Sequence, residues 1–221
     1  MKGYRDNEMK WLAILYAVLF LYFSTDFVNI ISKPNNSEIS LIKDAFESVF
    51  TTSILPIIVY IFDCLFTSKS KNWLLGSCIK KPYGYTIFSD ISSGKFKDER
   101  VSIKTARCHY NDIISLTPKD KKSRYLYENE QWYKIYSQYE SNKAVIQTQK
   151  DWLACRDMYI ETILFGVFYL LTIPIFNGVS FSLNLTLIII AMSIIFNVCA
   201  HIKMKRFVNT VIVKDILNTK N

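Results

Sequence analysis

A chain of 221 residues with 50 % hydrophobic and 15 % aromatic side chains is too apolar for disorder, yet 21 % of its residues are charged and its net charge is +8. The charge must therefore be segregated from long apolar runs, which excludes a disordered chain. Five cysteines without a C-x-x-C pair also argue against a disulfide-built secreted domain.

Four apolar stretches follow in chain order, at about 11–31, 45–66, 158–176 and 181–202. Each approaches the roughly 20 residues that cross about 30 Å of hydrocarbon as a helix. The expected fold is mostly α: a polytopic membrane protein whose four transmembrane helices form two hairpins around a cytoplasmic, largely helical insert. The second and third stretches are the weaker ones, because Glu47, Asp63 and Glu161 lie within them. The first run is longer than the about 7–15 apolar residues of a signal-peptide core, so it is expected to stay as an anchor.

These stretches divide the chain into a membrane hairpin at 1–66, an insert at 67–157, a second hairpin at 158–202 and a basic tail at 203–221. The insert carries 17 Lys/Arg against 10 Asp/Glu and the tail 5 against 1, while the connector 177–180 is uncharged. Lys and Arg flanking membrane spans stay in the cytoplasm, which places the insert and both termini there. Turn-forming residues at Pro34, Asn35, Asn36 and Ser37, and at Asn177 and Gly178, close the two hairpins.

Within the insert, Pro82, Gly84 and Gly94 predict irregular structure over 72–98, with room for short strands. A helix is predicted over about 99–115, ending before Thr117-Pro118, because the residue before proline is pushed out of the helical region. From about 120 to 156 there is no Gly or Pro, and Trp132, Ile135, Tyr136, Tyr139, Ile146 and Leu153 recur at helical spacing, Trp132, Tyr139, Ile146 and Leu153 being seven apart, so one long helix is predicted to run on into the third span. Its apolar face either packs on the insert or mediates self-association.

Catalytic motifs for phosphate loops, dinucleotide binding, zinc proteases and serine hydrolases are absent, so the chain is expected not to be an enzyme and to hold no metal or cofactor. Ionisable residues inside membrane spans are functional candidates by default. Asp26 and Glu47 share the outer leaflet region of the first hairpin, where they either line a hydrated cation path or reach interfacial water. Lys10 and Asp63 lie at the same cytoplasmic level of that hairpin and make a candidate ion pair. Glu161 has His201 or Lys203 as its candidate partner. Lys121, Lys122 and Arg124, beside Trp132, Tyr133, Tyr136 and Tyr139, form a candidate partner interface. Its basic and aromatic residues suit anionic lipid first and nucleic acid second.

The ordered landmarks Pro82-Tyr83-Gly84-Tyr85-Thr86-Ile87-Phe88, Asp98-Glu99-Arg100, Gln131-Trp132-Tyr133-Lys134-Ile135-Tyr136 and Arg156-Asp157, together with the hairpin layout, resemble membrane effectors of bacterial anti-phage defence systems. The likeness extends to both the retron-associated and the nucleotide-signalling types. It implies an inner-membrane protein held silent by a regulatory protein or nucleoprotein complex, which oligomerises on release and permeabilises or depolarises the membrane. Two other functional classes stay open: a membrane-anchored scaffold whose insert recruits a partner, and a small ion channel or transporter.

Overall fold

The computed structural model describes residues 2–24, 61, 64–77, 82–175 and 179–219. Its helices, in chain order, are α1 (Lys2–Ser24), α2 (Ser68–Asn72), α3 (Ile87–Ser93), α4 (Ile103–His109), α5 (Asn111–Ser115), α6 (Lys121–Tyr139), α7 (Lys143–Thr172) and α8 (Leu183–Asn218). A short turn kinked at Gly76 (φ 96°) follows α2 over Trp73–Ser77, and a 3-10 turn precedes α3 at Tyr83–Tyr85. The described residues are mostly helical and contain no strand. Thr86-Ile87-Phe88, within the region where short strands were expected, opens α3 instead.

Local chemistry sets the helix ends. Thr67, Ser102 and Asp120 cap α2, α4 and α6 by accepting the amides of Ser70, Thr105 and Ser123, which satisfies donors that a first helical turn leaves unpaired. Gly94 ends α3 at φ 82°, a left-handed conformation that costs glycine little. The helix predicted over 99–115 is two short ones, and both end before Thr117-Pro118 as expected. The single long helix predicted from 120 is broken at 140–142. There Asn142 turns the chain, its Oδ1 accepting the Ala144 amide at 3.0 Å, and α7 then continues without interruption to Thr172.

The chain divides into two compact units, one of Met1–Leu75 and Ala154–Val198, the other of Gly76–Leu153 and Cys199–Asn221. Helices α7 and α8 contribute a segment to each. In the first unit, Leu12, Tyr16 and Phe20 of α1 are buried with Ile160, Leu164, Phe165 and Tyr169 of α7 and Leu185 and Ile189 of α8. Tyr16 stacks on Phe165 with ring centroids 4.6 Å apart, and its hydroxyl hydrogen-bonds Thr162 Oγ1 at 2.6 Å. Ser180 ties the segment before α8 to the end of α1 through the Ser24 carbonyl, 2.9 Å away.

The core of the second unit joins Ile87, Phe88 and Ile91 of α3, Tyr110, Trp132 and Ile135 to Phe207, Val208, Val211, Ile212 and Ile216 of α8. The expected basic tail is therefore a continuation of the fourth apolar stretch, helical to Asn218 and largely buried along one face. Trp152 lies flat on Phe207 at 5.7 Å. Gly84 sits against the Trp132 ring so closely that an added Cβ would meet it at 3.2 Å.

Candidate functional site

In the first unit α1, α7 and α8 carry apolar residues on both their buried and their exposed sides. Alongside the buried stripe of α1, Trp11, Ile14, Leu15, Val18 and Tyr22 are exposed. Val167, Leu170 and Leu171 of α7 are exposed too, as are Leu183, Leu187, Ile190, Ile194, Ile195 and Val198 of α8. A helix that is apolar all round belongs in a core or in a bilayer. Outward exposure of its large aliphatic residues argues against the core, and apolar patches of this extent mark interaction surfaces. By length and composition α8 is apolar enough to cross a membrane, and Met9–Ser24 forms a shorter apolar helix.

Beside this surface the same unit buries an ionic cluster. Asp157, fully buried, accepts Arg156 through Oδ1 from Nε at 3.1 Å and Nη2 at 2.9 Å, and Lys71 Nζ lies 3.4 Å from the same oxygen. Arg156 also reaches Asn72 Oδ1 at 3.4 Å. Opposite charges taken out of water hold each other, and removing one member of such a cluster is strongly destabilising. The cluster thus fixes α2 to α7.

Two acids organise the second unit. Glu128 of α6 is fully buried; its Oε2 accepts the Phe88 and Ser89 amides, each at 3.0 Å, and its Oε1 accepts the Ser89 hydroxyl. Glu128 therefore caps α3 from another helix. Burial raises its carboxyl above the ordinary range, outweighing the Ser89 and Phe88 hydrogen bonds and the Arg124 charge, which pull it down. Asp215 of α8 accepts Tyr110 Oη at 2.7 Å, His109 Nε2 at 3.1 Å and Tyr139 Oη at 3.2 Å. One carboxylate thereby joins α4, α6 and α8.

Asp26, Glu47 and Asp63, the candidate membrane acids, lie outside the described residues. Lys10 is exposed on α1. Glu161 is buried in the first unit and His201 is half-buried in the second. Lys203, the other candidate partner of Glu161, reaches Asp151 Oδ2 at 2.9 Å.

Among the candidate interface residues, Lys121, Lys122 and Tyr133 are exposed, Arg124, Tyr136 and Tyr139 half-buried, and Trp132 buried. Trp132 stacks on Tyr136 at 5.4 Å, and both rings meet Phe207 edge-on. This aromatic face packs on Gly84 within the insert and on Phe207 of α8 beyond it. Arg124 stands apart from it, its guanidinium 5.9 Å from the Tyr125 ring centroid and its Nε buried without a hydrogen-bond partner.

The residues that sequence reasoning passed over are Lys71, Glu128 and Asp215, together with the ionic role of Arg156 and Asp157. Asp215 carried a signal, being the single acid among five cations in 203–221. Glu128 carried none, since its partners lie about forty residues away in sequence. No protein-family model, curated protein or solved structure matches the chain.

Proposed function

We propose that this chain is a multi-pass inner-membrane effector of an anti-phage system. In this reading the stretches 11–31, 45–66, 158–176 and 181–202 cross the bilayer, and 67–157 and both termini lie in the cytoplasm. Once a sensor releases it, the protein oligomerises and admits cations through its first hairpin. The observation that carries the membrane part is the outward-facing aliphatic surface of α1, α7 and α8. The effector part rests on the likeness in layout and landmarks. A membrane-anchored scaffold is the second reading, favoured by the closed core of the second unit, which offers a folded body for a partner to recognise.

The two readings differ in what expression does to a cell. Moving one charge through 100 mV is worth about 2.3 kcal/mol, so even a narrow leak drains a membrane potential quickly. Controlled expression followed with a potential-sensitive dye should depolarise cells. Replacing both Asp26→Asn and Glu47→Gln should reduce that depolarisation at unchanged membrane levels, because the amides keep size and lose charge. Full depolarisation by the double variant removes these acids from the path. No depolarisation by the unaltered chain, with or without its sensor and a phage challenge, favours the scaffold.

A further inference from the structure

The second unit contains a cleft of about 480 Å³ between α3, the segment after α5 and the first turn of α6, a volume within the usual range for small-molecule sites. Lys95, Lys119 and Arg124 line it, with Asp90 as the one acid. Among the described residues none of the three cations makes a salt bridge, and Arg124 Nε is shielded from water without a hydrogen-bond partner. The nearby carboxylate of Glu128 is engaged by the Phe88 and Ser89 amides and the Ser89 hydroxyl. Cations gathered in a concave site without an ion pair raise the local concentration of anions, although the Arg124 charge also acts on Glu128. An Arg fork beside two Lys point charges suits a phosphoryl group, which accepts both kinds of donor.

We infer that this cleft binds a phosphoryl anion, with Arg124, Lys119 and Lys95 holding its oxygens. The Ser92 hydroxyl on the same wall is a further donor, and Phe88, Ile114 and Pro118 supply an apolar wall for the rest of the ligand. The same chemistry is carried by a soluble phosphorylated molecule and by a phosphomonoester lipid headgroup. The site lies within one unit, so it stands whether or not the first unit forms a pore.

The test uses the full chain in detergent and in nanodiscs. Pyrophosphate binding is measured in detergent by equilibrium dialysis, and association with nanodiscs containing phosphatidic acid is compared with phosphatidylglycerol. Lys119→Glu and Lys95→Glu act at exposed positions, so folding is retained. Each should weaken binding about tenfold or more, whereas Lys104→Glu, exposed and outside the cleft, should leave it unchanged. Saturable pyrophosphate binding lost in the two cleft variants supports the site with a soluble ligand. A phosphatidic acid preference lost in the same variants supports it with a lipid headgroup. Absence of both, or equal effects of all three substitutions, overturns the inference.

Discussion

At the level of single residues, the acids that matter are those whose oxygens are saturated by distant donors. Tyr110 donates to Asp215 Oδ2 at 2.7 Å, and its phenol is pushed far above the ordinary value, by burial first and then by the Asp215 charge. Burial, then Asp215, raises Tyr139 as well. A group whose folded pKa is raised contributes stability that is fully present below its unfolded pKa and is lost as pH rises beyond it. The second unit should therefore lose stability above about pH 10, where unfolded tyrosine ionises. Tyr110→Phe should cost roughly 1.5–3 kcal/mol at neutral pH, the range for a hydrogen bond to a charged group. It should also make the alkaline loss shallower by up to about 1.4 kcal/mol per pH unit, one proton's worth. Denaturant unfolding followed by tryptophan fluorescence at pH 7 to 11 checks both. An unchanged alkaline slope would show that the Tyr110 phenol does not control it.

At the level of elements, what was legible in the sequence was periodicity, and what was not was capping from afar. Thr117-Pro118 marked where the α4–α5 region stops, and the apolar run from 181 marked α8. The α6–α7 boundary at 140–142 contains neither Gly nor Pro. The turn is made instead by Asn142, whose amide bonds the Tyr139 carbonyl at 3.0 Å and whose own carbonyl accepts Ile146 at 2.9 Å. Asn at an N-cap holds the first-turn amides with its side chain. That break also splits the seven-residue series, leaving Trp132 and Tyr139 on α6 and Ile146 and Leu153 on α7. Helix α3 was unreadable for a different reason: its first-turn amides are held by Glu128, so a local sequence window shows a helix without its cap. Asn142→Ala should cost about 0.5–2 kcal/mol, while Asn142→Asp, which keeps the acceptor, should restore most of it. Thermal unfolding of the two variants in the same detergent measures the difference, and equal losses would mean that the cap is not what holds the turn.

For the whole molecule, the contrast between the two units carries more than either alone. The second unit encloses its aliphatic residues and leaves few of them outside, among them Leu116, Leu126 and Leu217. The first places Tyr16, Thr162 and Tyr169 inward while Ile190 and Ile194 stand 51 % and 60 % exposed. Water does not favour that arrangement, and lipid does, since in hydrocarbon an outward aliphatic side chain costs nothing and an inward hydroxyl needs a partner. Composition already separated apolar spans from charged segments, but only packing distinguishes the lipid-facing from the inward residues of a helix apolar on every side. If this surface faces lipid, a charge on it should be far more disruptive than the same charge on the second unit. Arginine near the centre of a span costs about 2.5–3.5 kcal/mol on insertion scales. Ile190→Arg and Ile194→Arg should each lower the folded fraction of the chain in the membrane. Leu126→Arg, at a position 61 % exposed on α6, should leave that fraction unchanged. An unchanged folded yield of both isoleucine variants would mean that this face of α8 meets water or protein instead, and the four-span reading would lose its main support.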